Sequence, residues 1–260
     1  MAFDIAKAKQ FVQSVDLRGT PRNTSAVAQD PTAEAGTIFD KAKDQAQTVG
    51  SGLFSFAKGV TDDVREAISN SALFAQLIAN KQASADADLK AWFAAYDAAL
   101  QNVGWTLQDG GWNNYSTGGT AVEVHEQLLT VLTAALGPAP AALAIITATV
   151  NALKAMNTSS PWLTLFDHQS QKAKIARFQI GLVNIDENAD VFVTLLMCLI
   201  EASSDITQVL FFKFRDARAS FEANTSTVSV NRDSMIGLGP AIRAKVLAYQ
   251  ASYVSSIKDL

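Results

Sequence analysis

Val191-Phe192-Val193-Thr194-Leu195-Leu196-Met197-Cys198-Leu199-Ile200 is the stretch on which the fold turns. Apart from Thr194 every position is apolar, so an extended chain here buries both faces, the pattern of a central strand covered on two sides. Phe192, Thr194, Leu196, Cys198 and Ile200 share one face, and Val191, Val193, Leu195, Met197 and Leu199 share the other. Upstream, Ala176, Phe178, Ile180 and Leu182 alternate with Arg177, Gln179, Gly181 and Val183 before Asp186-Glu187-Asn188 turns the chain. Downstream, residues 201–205 read as a turn and 206–214 as a third strand. Ala217, Ala219, Phe221 and Ala223 then alternate with Arg218, Ser220, Glu222 and Asn224. Turns this short predict an antiparallel meander.

Working outward, the period changes to that of helices. Val64, Ala67, Ile68, Ala75 and Ile78 predict a helix from Thr61-Asp62-Asp63 to about residue 80. Leu89, Trp92, Phe93, Tyr96, Leu100 and Val103 form an apolar stripe that Ser84 would cap and Gly104 would end. Trp105 to Tyr115 reads as a hairpin about Asp109-Gly110-Gly111. Thr120-Ala121-Val122-Glu123 reads as a capping box opening a helix, and a second, nearly all-apolar helix follows over 139–156 with Pro140 in its first turn. The C-terminal helix is expected after Gly237-Leu238-Gly239-Pro240, with Ile242, Val246, Tyr249, Tyr253 and Ile257 on one face. Near the N-terminus, 2–15 and 37–49 read as helices separated by a linker over 18–36. The sum is an α/β protein: a three-layer α/β/α sandwich, its antiparallel sheet flanked by helical hairpins. Residues 1–60 are expected to form an N-terminal helical extension and linker, and 61–260 the main domain.

Composition narrows the function. Of the 260 residues 48% are hydrophobic and only 18% charged, below the ~25% charged usual in soluble domains. The 21 basic residues are dispersed and the net charge is −4, which excludes the clustered phosphate contacts of nucleic-acid binding. One cysteine and two histidines make no metal site without carboxylates, and no metal is expected. Asp4, Lys7 and Lys9 interrupt the apolar run that a classical signal peptide needs, so a cytoplasmic or non-classically exported protein is expected. Residues 127–153 carry no charge, but Gly137, Pro138 and Pro140 divide them into halves shorter than the ~20 residues of a membrane-spanning helix.

Three strings carry a family resemblance: residues 131–153, a helix pair with a Leu136-Gly137 break; Leu195-Leu196-Met197-Cys198, a strand with one internal cysteine; and Gln208-Val209-Leu210-Phe211-Phe212, read as the start of the next strand. Together with the order of elements they resemble the cytolytic delta-endotoxin (Cyt) family and the related Evf virulence-factor family. The resemblance covers about 120–230 and reaches weakly to 71–80. It implies an α/β/α sandwich whose layers move apart on membranes in the toxins. In Evf it implies a fatty acyl chain on a buried cysteine, at the place Cys198 takes here. The shorter link from Cys198 to Gln208 and the added N-terminal helices depart from the toxins.

Cys198 is therefore the leading site residue, with Phe192, Leu196 and Ile200 beside it as acyl-binding residues. Left to itself, such a thiol is a small core hydrophobe, desolvated and inert unless a base or cation is near. His125, at the edge of the stripe Ala121, Val124, Leu128, is the candidate base; the alternative is a satisfied core histidine. His168 reads as a surface residue. Gly110-Gly111 and Gly118-Gly119 read as turns, or as a pocket rim donating N–H groups to an acyl carbonyl. The expected function is binding of a lipid or fatty acyl chain, with no other cofactor and with fatty acid, acyl-thioester or membrane lipid as partner. The alternatives are a cysteine-dependent acyltransferase or thioesterase and a Cyt-like membrane-active cytolysin.

Overall fold

The computed structural model of the protein describes residues 3–20, 45–83, 88–115, 122–137, 140–155, 166, 170–172, 174–188, 190–206, 208–211, 213–214 and 219–256. Along the chain lie α1 (Ile5–Ser14), β1 (Gln45–Val49), β2 (Gly52–Phe56), α2 (Asp62–Gln82), α3 (Leu89–Asn102) and β3 (Trp105–Asn114). Then come β4 (Val122–Glu123), α4 (Val124–Leu136), α5 (Pro140–Ala155), β5 (Gln171–Lys172), β6 (Ile175–Ile185), β7 (Val191–Glu201), β8 (Lys213–Phe214), β9 (Ser220–Val230) and α6 (Arg232–Ser256).

The both-faces-apolar stretch is central, as its pattern demands. The main sheet runs β1-β2-β6-β7-β9-β3, with β5 beside β6 and β7 antiparallel to both neighbours. The odd side chains of β7, among them Val193, Leu195 and Met197, join one core with α1, α2, α3 and α6. Leu196, Cys198 and Ile200 join the other with α4 and α5. Two cores on opposite faces of one sheet are the three-layer α/β/α arrangement.

The sheet is mixed rather than purely antiparallel, because β2 pairs parallel to β6, Gly52 opposite Gln179 and Phe56 opposite Val183. This pairing also moves the expected boundary at residue 60. Residues 45–49, read as the end of a helix, are strand β1 (37–44 lie outside the described residues). Leu53, Phe54 and Phe56 are fully buried, so the hairpin is part of the main domain, and α1 packs on α6 beside it. Phe54 lies over Gly181 of β6: a Cβ there would fall 2.2 Å from the ring, so the approach requires glycine. The hairpin turn is tied to α2 by Gln76, whose Oε1 accepts from the Ser51 N–H at 3.0 Å while its Nε2 donates to the Val49 carbonyl at 2.9 Å. Gln76→Ala strips two buried backbone groups of their partner. A stability loss of about 1–3 kcal/mol is expected, with faster amide exchange in β1 and β2. A loss shared evenly by all strands would refute this anchoring role.

Other departures have local causes. Residues 105–114 form one strand, not a hairpin. Between the pairs Asp109–Ser226 and Trp112–Asn224, two residues, Gly110 and Gly111, oppose the single Thr225, a β-bulge. Gly111 takes φ 76° and a Cβ on Gly110 would meet the Thr225 carbonyl at 2.2 Å. The extra residue returns Trp112 to the face of Trp105 and Leu107. Of 206–214, expected as a full strand, the described residues form only β8, and β9 takes the place beside β7. α3 starts after Asp88, whose carboxylate accepts from the Ala91 N–H; Ser84 lies outside the described residues. The start of α4 is at Val124, where the Glu126 carboxylate accepts from the Glu123 N–H at 3.1 Å. Thr120 and Ala121 also lie outside the described residues. α6 begins at Arg232 and passes through Gly237, Gly239 and Pro240. Its buried face, including Met235, Leu238, Ile242 and Val246, is stabilised against the first core despite the breakers.

Candidate functional site

The β pleat decides what Cys198 meets. In the ladder it stands opposite Phe178 on β6 and Ala223 on β9. Its side chain enters the second core with Leu196, Ile200, Phe178 and Phe221, a core to which α4 contributes Leu128 and Leu132 and α5 Ile145. The thiol is 0% exposed, and this burial pushes its pKa well above the ordinary value because a thiolate would lose its hydration. Leu196 and Ile200 lie beside it as expected, both fully buried.

Phe192 does not line this layer. It shares the face but is 40% exposed; among the described residues α5 packs over β1, β2 and β6 rather than over this end of β7 and β9. There the face turns polar: Phe192 stands opposite Ser229 and Thr194 opposite Thr227, both exposed.

His125 sits in the first turn of α4, half-buried, its ring 5.3 Å from that of Phe211. Nδ1 is 3.3 Å from the Leu210 carbonyl and 3.3 Å from the Glu123 carboxylate. Both are acceptors, so Nδ1 carries the proton in the neutral ring and Nε2 keeps its lone pair. Among the described residues no hydrogen bond joins this imidazole to the Cys198 thiol. The expected acid–base partnership is therefore not assembled. His168 and Gly118-Gly119 lie outside the described residues. Gly110-Gly111 belong to the bulge of an edge strand rather than to a pocket rim.

The cover over Cys198 is unusual in its outer face. From 127 to 153 no residue is charged, and the exposed positions of α4 and α5 include Thr133, Ala134, Ala135, Ala141 and Leu143, the last 65% exposed. Among the described residues no helix is long and apolar enough to cross a membrane.

The alternation of β6 concealed one buried group. Arg177 was read as a polar-face residue, yet it is 3% exposed under α2 and α3. Its guanidinium lies 3.9 Å from the Trp92 ring centroid and donates to Asn80 Oδ1 at 3.1 Å. The doubly covered β7 is the signal that a β6 side chain on either face has no water to reach.

A mixed sheet between two helical layers, with a thiol buried in one of them, defines the class: a three-layer α/β/α protein. Its structure is similar to that of a delta-endotoxin (TM-score 0.42, 16% identity, covering 80% of this chain and 91% of that one). It is also similar to the Evf virulence factor (TM-score 0.31, 12% identity, covering 94% and 88%). No family model and no curated protein matches the chain.

Proposed function

We propose that this protein binds a lipid or fatty acyl chain between the sheet and the α4–α5 pair, with the acyl group thioester-linked to Cys198. The observation that carries the reading is a fully buried thiol among apolar side chains beneath a helix pair with no charged residue from 127 to 153. Each methylene placed there gains about 0.8 kcal/mol over its place in water. Loading from an acyl-thioester balances simply. The Cys198 sulfur bonds to the acyl carbon, the donor's C–S bond breaks, and the Cys198 proton ends on the released thiol. The step needs an opened layer, since burial disfavours the thiolate. Once the layer closes, exclusion of water protects the thioester. Turnover as an acyltransferase or thioesterase is the less supported reading, because His125 is engaged with Leu210 and Glu123.

Intact-mass measurement tests this. The protein is expected to carry a mass increment of one fatty acyl group that neutral hydroxylamine removes, and Cys198→Ala is expected to carry none. An unmodified mass together with no extractable lipid would end the proposal. The uncharged stretch from 127 to 153, with Leu143 exposed, favours contact with a lipid surface as a second reading. Dye release from liposomes by the full chain would support a cytolytic role, and intact liposomes across pH and lipid composition would remove it.

A further inference from the structure

An acyl chain beside Cys198 needs space that the protein fills with its own chain. Residues 206–210, between β7 and β8, place Ile206, Val209 and Leu210 in the same apolar layer as Cys198, at 1%, 0% and 1% exposure. None of the three lies in a strand or helix, and 209–211 form a turn. The stretch is buried like core but connected like a loop. The Leu210 carbonyl accepts from the His125 backbone N–H at 3.0 Å and meets His125 Nδ1 at 3.3 Å. Among the described residues the adjoining ladder of β4 with β8 pairs Val122 with Phe214 and Glu123 with Lys213. These contacts fall at the start of α4, the helix that opens the cover. Segments outside long ladders open locally at lower cost than the strands they lie on.

We propose that Ile206, Val209 and Leu210 form an internal plug: in the unloaded protein these side chains occupy the acyl position, and an incoming fatty acyl chain expels them. His125 is the catch. Releasing the Leu210 carbonyl frees the first turn of α4, so that expelling the plug and lifting the cover over Cys198 are one motion. The inference rests on the acyl-binding reading and gives it the route to the thiol that the closed layer lacks.

The test is amide hydrogen exchange of the full-length protein, freed of any bound acyl group by hydroxylamine, with and without palmitate. Palmitate is expected to accelerate exchange of the His125 amide and of 208–211 by about tenfold or more, while amides of β6 and β7 hold or slow. Joint Val209→Ala and Leu210→Ala substitution is expected to tighten palmitate binding, with unchanged β7 exchange as the check on folding. If palmitate binds and exchange at 208–211 slows or stays as it was, the plug is wrong and the acyl-binding reading stands. Should neither the native protein nor the variant bind palmitate, and no acyl group appear in the mass, both fall. Where the variant fails to fold, the exchange of the native protein decides.

Discussion

Replacing Trp92 by alanine is expected to lower the unfolding free energy by about 3–5 kcal/mol, the range for a buried tryptophan. The ring is fully buried and stacks on Tyr96 with centroids 5.5 Å apart and planes 10° apart. Its Nε1–H donates to Asn80 Oδ1 at 2.8 Å, the same oxygen that receives Arg177, and its face supports the guanidinium 3.9 Å away. Alanine thus leaves a cavity and also removes the surface against which a buried cation rests. The contrast is Tyr96→Phe. The Tyr96 hydroxyl is buried with no hydrogen-bond partner among the described residues, and burial pushes its pKa upward. Deleting that oxygen is expected to be neutral or slightly stabilising. Denaturant midpoints of the two variants decide: similar losses would show that the ring's contacts, and not its volume and its cation, have been misjudged.

The Cys198 thiol, once freed of any acyl group by hydroxylamine, is expected to react with a small disulfide reagent about a thousandfold or more slowly in the native protein than in the unfolded chain at the same pH. A reagent must wait for the layer to open, and openings of core strands approach the full cost of unfolding. The pH dependence separates this from simple crowding. In the unfolded chain the thiolate fraction rises tenfold per pH unit below the ordinary thiol pKa. The native thiol, pushed higher by burial, stays protonated over that range. Only the unfolded state then gives up its proton, so stability is full below the ordinary thiol pKa and falls as pH rises past it. Denaturant midpoints should decline more between neutral pH and pH 10 in the native sequence than in Cys198→Ala. Equal declines in the two proteins would contradict the buried, desolvated thiol.

What the sequence made legible was periodicity sustained over long elements. The both-faces-apolar run of β7, the stripe Trp92, Phe93, Tyr96 and the uncharged stretch 127–153 each identified an element and its buried side. Short signals misled where distant partners decide the outcome. Gly110-Gly111 has the composition of a hairpin turn, yet β9 holds the chain straight through it as a bulge. Residues 206–214 are as apolar as a strand, but among the described residues only Lys213–Phe214 find a ladder, and β9 takes the edge of β7. Gly237 to Pro240 look like a helix start and lie inside a helix, since α2 and α1 provide the packing that offsets the breakers. At the candidate site Leu196, Cys198 and Ile200 followed from parity alone. Phe192 obeyed the same parity but lies beyond the reach of α5, and no local pattern encodes how far a cover extends. Arg177 was missed for the converse reason, its polarity masking a position enclosed by helices remote in sequence.

The parallel pairing of β2 with β6 bears on how the chain is made. The β1–β2 hairpin leaves the ribosome early, but the strand on which it docks, with Gly52 against Gln179 and Phe54 over Gly181, is synthesised only after α2, α3, α4 and α5. Until then Leu53, Phe54 and Phe56 have no sheet to join, and contacts this distant in sequence form late. Once β6 is complete, its flank stays an unpaired edge until the hairpin arrives, and an open edge invites pairing between chains. Yield and solubility during expression should therefore depend on protecting residues 52–56 from pairing between chains until β6 is made.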